Sequence, residues 1–269
     1  MSNRHSRQSF LGKDAPWIIE NTLVGIAGLG GGGSHIVQQL AHIGFKKYCI
    51  FDMDIVEDTN LNRLVGATVE DAVNGINKVD VAERIIYGLQ PKAEVFKSKS
   101  RWQDVSEKIR QCDLIFGCLD GFSERNQLEA ITRRYLIPYI DIGLDVFEAP
   151  GEAPRMAGQL ILSMPGYACM WCMGFLNNEK LAREAGRYGA AGPNAQVVWG
   201  NGVLASNAVG LAVNLITDWT KGLRSPVYLS YDANDLVLKE HPRMEYLDKQ
   251  LSCPHYPLTA IGDPLFKAV

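Results

Sequence analysis

The residues of this chain whose types and spacing speak first of chemistry are the run Gly28-Leu29-Gly30-Gly31-Gly32-Gly33, an acid at Asp52 and a cation at Lys78. Glycines permit a tight turn and let the backbone approach phosphate oxygens, while the N–H groups that open a following helix attract negative charge. A carboxylate at the tip of the next strand can accept hydrogen bonds from both hydroxyls of a ribose. Lys78 stands at the start of a segment with helical spacing, where the helix dipole opposes a cation, so a ligand explains it better than the helix does. Together these residues suit a nucleotide phosphate; a glycine-rich turn in any parallel sheet is the plainer alternative.

Such groups need strands and helices to place them. Leu23 to Ala27 is a short apolar run before the glycines, Ser34 to Gly44 follows helical spacing, and Tyr48 to Phe51 closes on Asp52, giving a βαβ unit over Thr22 to Asp54. The segment Met53 to Arg63 is a loop rich in Asx and acid, too long for a mere connector. A helix is expected from Asn77 to Gly88, with strands at Glu94–Phe96, Asp113–Cys118 and Pro138–Ile142 and helices at Gln103–Arg110 and Ser123–Tyr135. This alternation predicts an α/β fold, Rossmann-like, with a largely parallel sheet covered by helices on both faces. Beyond Gly143 a long strand at Arg155–Met164, a helix at Asn201–Trp219 and a strand pair around Asp232–Asp235 make a mixed, antiparallel C-terminal extension. No repeat or low-complexity linker interrupts the chain, so residues 1–269 read as one domain, with a nucleotide-binding half at 22–143 and a C-terminal half at 144–269.

Composition narrows the function. The net charge is −3 with charges interspersed, so nucleic acid is not an expected partner. No apolar run approaches the roughly 18 to 20 residues of a membrane span, and Met1 to His5 lacks a signal-peptide core, so a cytoplasmic protein is expected. Six cysteines in 269 residues do not make a disulfide scaffold; Cys49 and Cys118 fall in apolar runs as small hydrophobes. The Arg4-His5-Ser6-Arg7-Gln8 segment reads as a polar arm, and Trp17-Ile18-Ile19 as a lead into the first strand.

The ordered set Arg7-Gln8, Gly28-x-Gly30-Gly31-x-Gly33, Asp52-x-Asp54, Asn60-x-x-Arg63, Lys78 and Asp120 resembles the ubiquitin-activating-enzyme-like adenylyltransferases, the group of the molybdopterin-synthase and thiamin-biosynthesis activating enzymes. The resemblance runs from about Arg4 to Asp235. It implies ATP and Mg²⁺ binding, homodimerisation, and adenylation of the C-terminal carboxylate of a ubiquitin-like or sulfur-carrier protein with release of pyrophosphate. Gly28, Gly30, Gly31, Asp52 and Asp54 would cradle the nucleotide and Asn60 would orient phosphates. Arg63 and Lys78 would neutralise charge growing on the phosphates, Asp120 would hold Mg²⁺ through oxygen, and Arg7 would reach into the partner subunit's site.

Three departures from that pattern stand out. Gly121 follows Asp120 where the family usually has Asn. No cysteine lies between Asn177 and Val198, where relatives that form a thioester or persulfide carry one, so the acyl-adenylate is expected to pass to a thiol on a separate acceptor protein. The family completes a tetrahedral zinc site with two Cys-x-x-Cys pairs, whereas this chain offers Cys169-Met170-Trp171-Cys172 and then Cys253-Pro254-His255-Tyr256. A Cys₃His zinc set, a metal-free remnant and a redox pair are the alternatives there. For function, adenylation of another carboxylate or amide (a peptide or a tRNA base), a dinucleotide-dependent oxidoreductase, and a non-catalytic scaffold that binds a ubiquitin-like protein are the rivals. An oxidoreductase would leave Asn60, Arg63, Lys78 and Asp120 without tasks, and a scaffold has no need of pyrophosphate-handling cations.

Overall fold

β1 (Leu23–Ala27), β2 (Lys47–Phe51), β3 (Glu94–Ser98), β4 (Leu114–Gly117), β5 (Tyr139–Phe147), β6 (Arg155–Ser163), β7 (Val227–Asp232) and β8 (Val237–Glu240) form one sheet in the order β3-β2-β1-β4-β5-β6-β7-β8. The computed structural model describes residues 3–186, 195–222, 226–247 and 253–262. β3 to β5 in that order run parallel, and β6, β7 and β8 are each antiparallel to their neighbours. The parallel strands β1, β2 and β4 are buried almost end to end, as strands covered on both faces must be.

Helices α1 (Ala15–Asn21), α2 (Gly31–Ile43), α3 (Val69–Val73), α4 (Lys78–Leu89), α5 (Ser106–Ile109), α6 (Phe122–Arg134), α7 (Asn178–Gly186) and α8 (Val198–Thr217) complete the fold. Two apolar cores sandwich the sheet. One joins α1, α2, α4 and α8 to Ile26, Ile50, Ile140 and Leu160; the other joins α5, α6 and Trp102 to Phe51, Ile115, Tyr139 and Ile161. Strand residues of alternating parity thus face opposite helical layers.

Several boundaries differ from the sequence expectation. α2 begins at Gly31, three residues before the predicted start, so the glycines are its first turn. A Cβ on Gly31 would come within 2.5 Å of Asn201 Nδ2, and one on Gly32 within 2.8 Å of Ile142 Cδ1. Glycine is required there because α8 and β5 approach so closely, which propensity rules cannot see. Trp17–Ile19, the lead into the first strand, lies in α1, since Pro16 opens a helix turn and Ala15 and Ile19 bury one face of it. The N-terminal arm is a 3₁₀ segment, Asn3–Leu11, pinned by buried Leu11. β5 runs on through Gly143 to Phe147, because β6 pairs with it over its whole length. α8 starts at Val198 and ends before Trp219, where Asp218 turns left-handed at φ 51°. α3 and α7 are short and polar, and periodicity did not reveal them.

Candidate active site and metal centre

The carboxyl ends of β1, β2, β3 and β4 share one edge of the sheet, and the chemistry-bearing residues gather there. Asp52 follows the tip of β2. Its Oδ2 accepts from Leu29 N at 2.6 Å and its Oδ1 from Asp54 N at 2.9 Å. The carboxylate therefore locks the glycine turn while keeping lone pairs free for a ligand. Burial pushes the Asp52 carboxyl up, against the pull of Lys78 and of the two N–H groups. Gly28, at φ +88°, supplies the left-handed turn that brings β1 into α2.

Asp54 and Lys78 are paired: Nζ lies 2.7 Å from Oδ2, and Lys78 N donates to Asp54 O at 3.0 Å. An antiparallel bridge between Ile55 and Asn77 continues the stitch. The loop after β2 is thus bound to the start of α4, which turns Lys78 into the cleft. Arg63 leaves the same loop, with Nη1 donating to Thr59 O at 2.8 Å and to Asn62 Oδ1 at 3.1 Å. Arg84 on α4 braces this loop, donating to Gly66 O and making a two-pronged pair with Asp71 at 2.6 and 2.9 Å. That fork, with Thr68, holds the Asp71 carboxyl well below the usual carboxylate range.

Asn60 serves the turn that carries Arg63 and also lines the second cavity. It is buried, its Oδ1 accepts from Glu57 N at 3.1 Å, and it closes the capping box of the Asp58–Asn60 3₁₀ turn. The amide oxygen thus holds the turn that carries Arg63, whose N–H bonds Asn60 O at 3.0 Å.

Asp120, past the end of β4, is exposed, and its carboxylate takes no hydrogen bond or ion pair from the described residues. Beside it Gly121 has an ordinary extended backbone, φ −88° and ψ 140°, so conformation does not explain the glycine. A Cβ there would come within 2.5 Å of Glu184 Oε1, the movable end of a side chain whose Oε2 accepts from Ser123 N at 2.8 Å. The carboxylate of α7 thus caps α6 from where an asparagine side chain would have been.

These groups line one cavity of about 350 Å³, into which Gly28, Gly30 and Gly31 of the turn and Asp52, Asp54, Arg63, Lys78 and Asp120 all open. A second cavity of about 910 Å³, walled by Val146, Met156, Val197 and Trp199 among others, shares Arg63, Asp120 and Gln196 with the first. Arg7 is exposed and lines neither cavity.

Arg125 is a site residue that the sequence reading missed. It is buried on α6, lines the first cavity, pairs with buried Asp141 of β5, donates to Leu119 O and lies 5.8 Å from the Phe175 ring. The signal was Asp141 inside an apolar strand, since a buried carboxylate needs a cation. Burial pushes the Asp141 carboxyl up, and Arg125 opposes that.

Cys169, Cys172, Cys253 and His255 converge, with ligand atoms all within 4.8 Å of one another. Cys169 and Cys172 Sγ are 3.7 Å apart, Cys172 and Cys253 Sγ 3.8 Å, and His255 Nδ1 lies 3.5 and 3.4 Å from Cys169 and Cys172. A tetrahedron with zinc–sulfur bonds of about 2.3 Å and a zinc–nitrogen bond of about 2.0 Å has edges of about 3.5 to 3.8 Å. The set fits Zn²⁺, with Nδ1 as the fourth donor. Buried Glu129 of α6 steadies it, accepting from Ser163 Oγ, from Met170 N at 2.8 Å and from the Tyr256 hydroxyl at 3.4 Å. Arg133 donates to Tyr167 O and Ala168 O at 2.8 and 2.7 Å, just ahead of Cys169. The residue standing where a fourth cysteine was expected, Tyr256, thus ties the C-terminal ligand loop to α6.

A family model, that of the ThiF family, matches residues 3–254. The chain is 28% identical over 171 residues to the SAMP-activating enzyme E1 of Haloferax volcanii, covering 63% of this chain and 60% of that one. It is 27% identical over 260 residues to ubiquitin-like modifier-activating enzyme 5 of Drosophila willistoni, covering 87% and 59%. It is 27% identical over 244 residues to the molybdopterin-synthase adenylyltransferase of Escherichia coli, covering 88% and 90%. The chain therefore spans 60% and 59% of the length of the first two relatives. Among solved structures, E. coli MccB with ATP superposes at a TM-score of 0.74 with 21% identity, covering 97% of this chain and 75% of that one, a likeness of fold.

Proposed function

The chain belongs to the ThiF family, and from that premise we propose that it is an ATP-dependent adenylyltransferase acting on the C-terminal carboxylate of a small ubiquitin-like or sulfur-carrier protein. One observation carries this reading. A cleft built from the glycine turn, Asp52 and Lys78 meets a second cavity at Arg63 and Asp120, so a nucleotide and a chain end entering from opposite sides would touch between those two residues. The whole chain is read as one adenylation domain, supported by a single sheet shared between its halves.

In this reading Asp52 takes the ribose hydroxyls and the N-terminus of α2 faces the phosphates. A carboxylate oxygen of the carrier attacks the α-phosphorus of ATP; the bond from that phosphorus to the bridging oxygen breaks, and its electron pair leaves with pyrophosphate. Negative charge grows on the phosphoryl oxygens and on the leaving group. Arg63 and Lys78, held by Thr59 and Asp54, supply positioned cations for it. Asp120, exposed in the cleft and without a partner among the described residues, suits a hard cation, and Mg²⁺ bound there would offset polyphosphate charge. Zn²⁺ in the Cys169–Cys172–Cys253–His255 set would be structural, since all four positions are filled by protein. Because those cysteines are then ligands, Cys49 and Cys112 are buried, and the Cys118 thiol, though it lines the first cavity, is pushed up by burial away from the reactive thiolate, the acyl-adenylate would pass to a thiol on a separate acceptor protein.

Arg7, exposed and lining neither cavity of this subunit, is read as completing the site of a second copy in a homodimer. Mixing inactive Arg7→Ala with inactive Asp120→Ala protein should then restore activity in mixed dimers. The reading itself is tested by pyrophosphate release from ATP in the presence of a carrier. Release should require a free C-terminal carboxylate, and a C-terminally amidated carrier that serves equally well would overturn it.

A further inference from the structure

Asp120 is bracketed by a single residue of α6. Arg125 N donates to Gly121 O at 3.2 Å, and Nη2 of the same residue donates to Leu119 O, so the residues on either side of Asp120 both give their carbonyl to Arg125. The Asp120 carboxylate itself takes no hydrogen bond or ion pair from the described residues. Its direction into the cleft is therefore set through its backbone, and that backbone is held by Arg125.

Arg125 is in turn held at its other prong. Nη1 pairs with Asp141 Oδ2, and Asp141, fully buried on β5, also accepts from the Tyr139 hydroxyl at 2.8 Å and from Gln159 Nε2 at 3.4 Å. Gly143 leaves the guanidinium its path, since a Cβ there would come within 2.5 Å of Arg125 Nη2 and of Gln159 Nε2. A buried ion pair is a poor source of stability, because desolvation of both charges offsets their attraction, and replacing it by apolar side chains of similar volume is often neutral or stabilising. What a planar fork held at both prongs does supply is a fixed direction. Arg125, Gly143 and Gln159 line the same cavity as Asp120, so the network ends at the cleft.

We propose that Arg125, anchored by Asp141, is a positioning residue that aims the Asp120 carboxylate at the cation of a bound nucleotide. This rests on the reading of Asp120 as the holder of Mg²⁺ in a nucleotide cleft, and the test separates the two. Titration calorimetry with ATP, in Mg²⁺ and in EDTA, needs no carrier protein. The wild-type chain should bind ATP more tightly in Mg²⁺, and Asp120→Ala should remove that advantage. Arg125→Lys keeps a charge for Asp141 and loses the fork, whereas Asp141→Asn keeps the shape and loses the charge. Each should remove most of the Mg²⁺ advantage while changing affinity in EDTA less than about twofold, because altering a residue that orients a metal ligand costs on the order of 10-fold or more in metal affinity.

Far-UV circular dichroism checks folding, and if neither variant folds, Tyr139→Phe, which removes one hydroxyl and no charge, carries the test in the same direction. A Mg²⁺ advantage unchanged in the folded variants, or affinity lost equally in Mg²⁺ and in EDTA, overturns the proposal while leaving the cleft a nucleotide site. A wild-type chain without a Mg²⁺ advantage overturns Asp120 as holder of the cation and the proposal with it. No binding of ATP at all overturns the cleft assignment as well.

Discussion

Lys78 is held twice by Asp54, through an ion pair of 2.7 Å between Nζ and Oδ2 and through a backbone hydrogen bond of 3.0 Å. With 12% of its side chain exposed, the lysine has surrendered much of its hydration and rotamer freedom before any ligand arrives. Preorganisation of this kind is what makes a single cation valuable in a transition state. Lys78→Ala should lower the rate of pyrophosphate–ATP exchange by on the order of 10²- to 10³-fold. Asp54→Asn, which keeps the shape and removes the charge, should cost less, about tenfold, seen in kcat more than in KM.

Gly121 and Glu184 are a matched pair, since the carboxylate of one element fills the space that a side chain on the other would need. Gly121→Asn alone should displace the Glu184 carboxylate from Ser123 N and cost at most about 1 kcal/mol of stability by urea denaturation, the scale of one helix cap. Combined with Glu184→Ala, it should recover most of that loss. A double variant no better than the single one would show that the two side chains do not compete for that space.

The Cys₃His cluster predicts one zinc per chain by elemental mass spectrometry. Cys172→Ser or His255→Ala should lower zinc content and drop the thermal midpoint by on the order of 5 to 10 °C, because metal-binding energy is folding energy at such a site. Metal-free wild-type protein with an unchanged midpoint would return the cluster to the status of a remnant.

Asp71 gives a pH dependence with a definite sign. Its carboxyl is depressed, first by the Arg84 fork and then by Thr68. A depressed acid adds stability that is full above its unfolded value near pH 3.9 and fades as pH falls toward the folded value. Asp71→Asn should therefore cost about 1 kcal/mol at pH 7, discounting the half-exposed arginine, and flatten the acid limb of the stability curve below about pH 4. Urea denaturation across pH 2 to 7 measures both effects. An acid limb as steep as that of the wild type would assign the acid sensitivity to other carboxylates.

The glycine turn and Asp52 were legible in the sequence because they lie within one βαβ unit, where hydropathy and spacing determine geometry. The parallel order of the sheet followed from the same alternation. Arg125–Asp141 and Gly121–Glu184 were not legible, because each joins elements that only the closed fold brings together, α6 to β5 and α6 to α7. At Asn60 the capping box with Glu57 was not legible either, because Glu-x-x-Asn is not the usual Ser/Thr-x-x-Glu signature. The N-terminus of α2 was misplaced for a related reason, since glycines required by Asn201 and Ile142 look like loop when read alone. His255 was picked out by its nearness to Cys253, but only the fold could show Nδ1 as the facing nitrogen.

Adenylation between Arg63 and Asp120 is most directly tested by the incorporation of labelled pyrophosphate into ATP, with a carrier bearing a free C-terminus, by wild-type and Asp120→Ala protein. The wild-type chain should catalyse carrier-dependent exchange, and the variant should lose it by on the order of 10²-fold or more while keeping its circular dichroism and thermal midpoint. Exchange by the Asp120→Ala protein at the wild-type rate would contradict the assignment of this cleft.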